Sequence, residues 1–221
     1  MTIWEILVRY RSEWLHGLGV TLKLCALIWG IGLSFGAILG VAGARWKDAI
    51  GGPSKAASFI LSGMPILVLL FWLHYPLQAY FRVVVDPFIT AVVALSFVNV
   101  VLVADTIRGV LNDFPQQYLA AAKVCGLGHR ETVLRIQLPI ILRQVIPGLL
   151  SLQVTMLQTS LFASLISVDE IFRIAQRINS QVYRPVEIYT ALAILFLIVC
   201  LPLHGLALWL KQRFTRNFSE V

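Results

Sequence analysis

Polar side chains interrupt a mainly apolar stretch, residues 145–168, and four of them share one helical spacing. Ser151, Thr155, Gln158 and Thr159 recur at i, i+4, i+7 and i+8, a spacing that places them on one stripe of a helix. Hydroxyl and amide groups of this kind bind small polar solutes, and they also form hydrogen bonds between helices that have no water around them. The spacing is compatible with both roles, so the stripe is a candidate solute pathway and equally a candidate packing surface.

Asn99 is a fifth polar residue of this kind, and it stands in the middle of another apolar run. A side-chain amide at that depth requires a hydrogen-bond partner from another helix or a water-filled cavity. Asn99 is therefore a second candidate for the solute pathway, with packing between helices as the alternative.

No catalytic pattern accompanies these side chains. The sequence contains no G-x-x-x-x-G-K-[ST] and no H-E-x-x-H. Cys25, Cys125 and Cys200 form no C-x-x-C pair, and the four His residues share no ligand spacing. The sequence therefore predicts a protein that is not an enzyme, with no metal site and no cofactor of its own.

The segment 112–140 has a different character, because it combines charged residues with small residues and turn formers. It predicts short helices that are broken at Pro115, at Gly126-Leu127-Gly128 and at Pro139. An amphipathic helix pair of this type suits a membrane or protein surface. The residues that define its first helix and turn are Ala120, Ala121, Ala122, Lys123, Gly126, Leu127, Gly128 and His129.

The elements that must position these residues are membrane helices. Of the 221 residues, 58% are hydrophobic and only 13% are charged, a balance that fits lipid as the solvent. A span needs about 20 apolar residues, and backbone groups in lipid must be paired internally. The sequence predicts an all-α, polytopic membrane protein with five spans, at about 18–44, 54–78, 87–107, 145–168 and 187–210.

Gly32, Gly36 and Gly40 recur every four residues in the first span and predict close packing with another helix.

The basic residues predict the orientation. Eleven of the 18 Lys and Arg residues lie in the segments 45–55, 105–144 and 211–221, and basic excess marks the cytoplasmic side. This places the N-terminus outside and the C-terminus inside. The net charge of +7 is explained by these flanking residues, so it requires no nucleic-acid partner.

The loop residues carry a family resemblance. Ala120 to Leu127, followed by Leu138-Pro139, resembles the E-A-A-x-x-x-G…LP coupling loop of ABC importer permeases. Stretches similar to the subfamily that takes up polar amino acids and opines are Pro65 to Val68, Ala104 to Gly109, Ala175 to Ile178 and Tyr183 to Tyr189. These similarities occur in order from about residue 17 to 210, nearly the whole chain.

The resemblance implies a type I ABC importer permease fold in a single domain, residues 1–221, with a coupling loop at about 112–140. It implies a bacterial inner-membrane importer for amino acids or related small polar solutes. The implied partners are a second permease subunit, two cytoplasmic ATPase subunits that bind ATP and Mg, and an extracytoplasmic solute-binding protein.

This chain departs from the family pattern at its candidate site. The usual Glu of the loop is replaced by Ala120, and a Lys-Asp pair common in the fourth span is replaced by Gln158-Thr159. A Glu found earlier in that span aligns with Leu152. Either the solute carries a different charge or a non-identical partner permease supplies the missing groups, and we favour the second, a heterodimer.

An ion-driven secondary transporter and a membrane-embedded enzyme are the competing classes, but no predicted span has a central Asp or Glu.

Overall fold

The computed structural model describes residues 2–216, and nearly all of them lie in helices. The α-helices in chain order are α1 (Ile3–Arg9), α2 (Arg11–Arg45), α3 (Gly52–Gly63), α4 (Ile66–His74), α5 (Pro76–Phe81), α6 (Pro87–Asn112), α7 (Gln116–Val124), α8 (His129–Thr132), α9 (Leu138–Thr159), α10 (Ile171–Val182) and α11 (Pro185–Arg216). Two π-helical turns, Lys47–Gly51 and Val133–Gln137, and one 3-10 helix, Ser160–Ile166, complete the elements.

Helices α2 and α6 form a parallel, closely packed pair at the centre. Gly32 lies against the Asn99 side chain, Gly36 lies against Val103, and a Cβ added to Gly40 would stand 2.9 Å from the Ala104 carbonyl oxygen. The three glycines are all buried. Because they offer no side chain on the contact face, the two backbones approach more closely than larger residues would allow.

Four helical stretches among the described residues are long and apolar enough to cross a membrane: Arg11–Arg45, Pro87–Asn112, His129–Ile166 and Pro185–Phe214. The predicted second span, 54–78, is not one continuous helix. Its two halves, Lys47–Gly63 and Ile66–Phe81, meet at an angle of 97°. Pro65 explains the break, because it has no N–H to donate and its ring holds Met64 in an extended conformation, φ −105° and ψ 125°.

The break predicted at Pro139 is wrong. The helical stretch runs from His129 to Ile166 without interruption, and Pro139 lies in the first turn of α9. The π-helical turn Val133–Gln137 directly precedes it. This wider turn alters the backbone before the proline, where the ring would otherwise collide with the carbonyl of residue 135.

Helix α10 lies across one end of the bundle, which we call the α10 end and define as residues 168–184. Its apolar side, Ile171, Ile174 and Ile178, packs against a cluster that includes Trp14 and Ile6. The opposite end, which we call the α7 end, consists of residues 113–137. The candidate stripe of α9 lies between these two ends.

Candidate solute pathway and coupling loop

The four stripe residues of α9 differ in their exposure. Thr155 and Gln158 are exposed and Ser151 is half-buried, whereas Thr159 is buried. At 100° per residue, Thr159 is rotated about 80° from Ser151, while Gln158 is rotated about 20° in the other direction. One surface of α9 is therefore formed by Ser151, Thr155 and Gln158. Thr159 is turned away from this surface and is buried inside the protein.

The two threonine hydroxyl groups of this stripe form hydrogen bonds within their own helix. Thr155 Oγ1 donates to the Ser151 carbonyl at 3.1 Å, and Thr159 Oγ1 donates to the Thr155 carbonyl at 2.8 Å. Gln158 differs, because its amide both donates and accepts and its side chain lies beside the Cys200 thiol of α11. Gln158 is also the last residue but one of α9 before the backbone tightens into the 3-10 helix.

A cavity of about 480 Å³ continues the stripe toward the α7 end of the molecule. Helix α9 contributes Arg143, Gln144 and Ser151 to its wall, and α11 contributes Leu208 and Lys211. The cavity thus combines an apolar wall with two cationic side chains and an amide. Such a lining can accept a small polar molecule that carries an anionic group.

Asn99 is buried between three helices. Its Nδ2 donates to the Ile28 carbonyl of α2 at 3.0 Å and to Gln153 Oε1 of α9 at 3.0 Å, while Gln153 Nε2 donates back to Asn99 Oδ1 at 3.2 Å. The pair connects α2, α6 and α9, and Asn99 has no exposed surface. Gln153 is absent from the sequence-predicted site, although its mid-span amide required a partner as much as that of Asn99 did.

The loop residues form an exposed helix–turn–helix at the α7 end. Ala120 to Lys123 belong to α7, and only Ala122 among them is buried. Gly126 follows with φ +71°, its N–H donates to the Lys123 carbonyl at 3.1 Å, and the Leu127 N–H donates to the Ala122 carbonyl at 3.0 Å. These two bonds and the left-handed glycine form a Schellman motif, which ends α7 and reverses the chain.

The second helix of this loop begins directly after the turn. Gly128 is the N-cap residue of α8, and its N–H donates to Glu131 Oε2 at 3.4 Å, while His129 is the first helical residue. Val124, at the end of α7, is 89% exposed. The sequence analysis did not single out this exposed apolar side chain, because its exposure could not be inferred from the motif.

Arg108 anchors the segment that leads into this loop. Its guanidinium is buried, donates to the Gly51 carbonyl at 3.3 Å and pairs with Asp105 one turn earlier on α6. Gly51 belongs to the π-helical turn between α2 and α3. The end of α6, which continues through Phe114 into α7, is therefore fastened to the neighbouring turn at the same end of the bundle.

Within residues 2–216, no group of three or more His, Cys, Asp or Glu side chains comes together in a way that could hold a metal ion. Cys25, Cys125 and Cys200 are free thiols. The stripe and the cavity present hydroxyl, amide and cationic groups, which bind through hydrogen bonds and charge.

This geometry defines a class of protein: helical membrane proteins with a polar stripe on one span and a glycine turn outside the apolar spans. The family model for the inner-membrane component of binding-protein-dependent transport systems matches residues 32–216. The chain belongs to this family, which comprises the permeases of ABC transporters and is not catalytic.

Curated relatives narrow the class to permeases for amino acids and opines. The octopine transport system permease protein OccM of Rhizobium radiobacter is 29% identical over 99% of this chain and 93% of its own length. The L-cystine permease protein TcyB of Bacillus subtilis is 31% identical over 72% of this chain and 68% of its own length. The glutamine permease protein GlnP of Escherichia coli is 30% identical over 70% of this chain and 71% of its own length.

Solved structures agree with the fold. A crystal structure of an amino acid ABC transporter with histidines superposes with a TM-score of 0.83 at 25% identity, covering 94% of this chain and 96% of that chain. An inward-facing MetNI methionine ABC transporter superposes with a TM-score of 0.71 at 16% identity, over 93% and 98% of the two chains. The predicted all-α, type I ABC importer permease fold is confirmed.

Proposed function

We propose that this chain forms one half of the solute pathway in an ATP-driven importer and that a separate ATPase docks on its α7–α8 turn. The exposed Schellman turn at Gly126 is the observation that carries this proposal. It presents a rigid, small-faced helix outside the spans, on a chain that has no phosphate-binding motif of its own. The partner ATPase would therefore bind the ATP and Mg.

In this mechanism the α7 end faces the cytoplasm and the α10 end faces outward, where a solute-binding protein delivers the solute. The Lys and Arg distribution supports the same orientation, with the N-terminus outside and the C-terminus inside. Closure of the ATPase subunits on ATP displaces α7, and the spans then alternate between outward and inward openings. Binding can drive such a change only through contacts that differ between the two states.

The solute contacts proposed on this chain are the surface of Ser151, Thr155 and Gln158 and the cavity that continues it. Amino acids and opines carry carboxylates, and Arg143 and Lys211 supply positive charge at the cytoplasmic end of that route. Asn99 and Thr159 are buried in this conformation, so a role for them in the pathway requires an opening of α9 against α6. A cationic solute group needs a carboxylate that the stripe lacks, and a non-identical second permease would provide it.

The first test concerns the source of energy. The purified chain in lipid vesicles is expected to hydrolyse no ATP, and solute-stimulated hydrolysis is expected only after a separate ATPase subunit and a second permease are added. The measurement is phosphate release across a panel of amino acids, with and without a solute-binding protein. ATP hydrolysis by the isolated polypeptide would contradict the proposal.

The second test separates solute binding from packing at Gln158. Because Gln158 is exposed and its amide both donates and accepts, Gln158→Leu is expected to retain assembly and to change the apparent affinity or the solute preference. A pure packing role would instead cost about 0.6 kcal/mol of stability and leave selectivity unchanged. Thr159→Val is the comparison variant, and its effect on affinity is expected to be smaller, because Thr159 is buried and its hydroxyl is satisfied within α9. Equal transport parameters for every solute in Gln158→Leu would remove the stripe from the pathway.

A further inference from the structure

Glu170 is a carboxylic acid that the structure buries completely. It lies between the 3-10 helix and α10, in the short turn at the α10 end, and its side chain has no exposed surface. It serves as the N-cap residue of α10, where Oε1 accepts the Arg173 N–H at 2.9 Å. The other oxygen, Oε2, is buried and has no hydrogen-bond partner among the described residues. A buried acid with an unpaired oxygen is costly for a protein to keep in its charged form.

The charged groups near Glu170 do not neutralise it. The Arg173 side chain turns away, toward Asp169 Oδ1 at 3.2 Å and toward the Ser164 carbonyl at 3.0 Å. Arg177 also pairs with Asp169, at 2.6 Å. Helix α2 presents the Thr21 hydroxyl and the Cys25 thiol to the carboxyl group, and neither is a cation.

Burial therefore sets the protonation state of this group. Desolvation raises the pKa of Glu170 from 4.5 to about 7, although the backbone N–H groups of Phe172 and Arg173 and the Thr21 hydroxyl lower it in part. The acid is thus largely protonated in mildly acidic surroundings while the turn stays closed. An ordinary exposed glutamate would be ionised there.

The turn that carries Glu170 joins the end of the α9 stripe to α10. Ser167 adopts the left-handed conformation, φ 74°, and the Val168 N–H donates to the Ala163 carbonyl at 3.1 Å. The Ile171 N–H donates to Thr21 Oγ1 at 3.1 Å, which fastens the turn to α2. A change in the state of Glu170 would therefore act where the stripe helix, α10 and α2 meet.

We propose that Glu170 is a proton-binding site that holds the turn 167–170 closed against α2 while it is protonated, and that loss of the proton releases the turn to water. The proton leaves the carboxyl oxygen for solvent, and the carboxylate is hydrated in the open turn. The proposal does not depend on the solute, and its failure would leave the permease function untouched.

The direction of the pH dependence follows from the pKa of Glu170, which is 4.5 in the open turn and about 7 in the closed turn. Well below pH 4.5 the acid is protonated in both the closed and the open turn, so the closed turn has its full stability. As the pH rises from 4.5 to about 7, the open turn loses its proton first, and the equilibrium shifts toward opening by up to tenfold per pH unit. Between pH 5 and pH 8 the total shift is up to roughly 70-fold.

The test is hydrogen–deuterium exchange of the full-length chain in lipid vesicles, followed in peptides that cover 163–175 and corrected for the intrinsic pH dependence of exchange. The wild-type turn is expected to open more as the pH rises from 5 to 8, and Glu170→Gln, which mimics the protonated acid, is expected to remove that dependence. Asp113→Asn is the control, because Asp113 is an exposed acid at the α7 end and its loss should leave the dependence in place.

A second measurement covers the case in which Glu170→Gln fails to assemble. The infrared carbonyl band of a protonated, buried carboxylic acid is expected in the wild-type chain at pH 5.5 and absent at pH 8.5. The Asp113→Asn variant is expected to show the same band at pH 5.5. Exchange that does not change with pH, or a band that stays at pH 8.5, would overturn the proposal. The same pH dependence in Glu170→Gln as in the wild type would also overturn it.

Discussion

Gly36→Val is expected to prevent stable assembly of the helical bundle. A Cβ at Gly36 would stand 2.6 Å from Val103 Cβ and 2.8 Å from the Val100 carbonyl oxygen, both on α6. Neither atom is the mobile end of a flexible side chain, so α2 and α6 would have to separate. Overpacking of this kind costs about 1–3 kcal/mol, and we expect at least the upper value because a backbone atom is involved. The measurement is unfolding of the purified chain in detergent, together with the yield of inserted protein.

Helix α2 offers a matched control for this substitution. Gly30 is exposed, and no atom lies within 4 Å of a Cβ added there. Gly30→Val introduces the same side chain and the same loss of backbone freedom, so it isolates the effect of the contact with α6. Equal stability for the two variants would show that the α2–α6 pair does not have the close packing described above.

Gly126→Val is expected to leave ATP hydrolysis in the assembled importer but to lower transport severalfold. The φ of +71° at Gly126 is unfavourable for a side chain with a Cβ by about 1–2 kcal/mol, more for a β-branched residue. Relief of this strain would distort the Schellman turn and move α7 relative to α8. The measurement is the ratio of solute imported to ATP hydrolysed in vesicles, and it depends on the proposed role of the loop in coupling.

Gly128 provides the control for the loop. It has φ −67°, and the nearest atom to an added Cβ is Glu131 Oε2 at 4.0 Å, so Gly128→Val meets neither strain nor collision. It should keep a coupling ratio close to that of the wild type. If both variants behave alike, the conformation of the turn is not what transmits the motion.

The sequence predicts the helical elements well and their interruptions less well. Long apolar runs identify spans because backbone groups in lipid must bond within their own helix. A proline, in contrast, does not always interrupt a helix. The chain bends by 97° at Pro65, whereas Pro139 lies in an uninterrupted helix. The difference lies in the backbone around each proline, an extended Met64 in one case and a π-helical turn in the other.

Side-chain environments depend on tertiary packing and could be predicted only in part. The rule that a mid-span amide needs a partner applies to Asn99. Its actual partners, Gln153 and the Ile28 carbonyl, depend on how three helices cross. Glu170 gives no sequence signal of burial, and Asp169 directly before it is about half exposed and ion-paired. Local sequence does not determine which of two adjacent carboxylates faces the interior.

The interlocking of α2 with α6 limits the motions available to the permease. With Gly36 fitted against Val103 and Gly40 against the Ala104 backbone, the two helices cannot slide past each other by a fraction of a turn without collision. In the proposed transport cycle they would therefore move as one rigid body. In the proposed cycle, movement of this pair relative to α9 would take place across side-chain contacts, which include the mutual hydrogen bonds of Asn99 and Gln153.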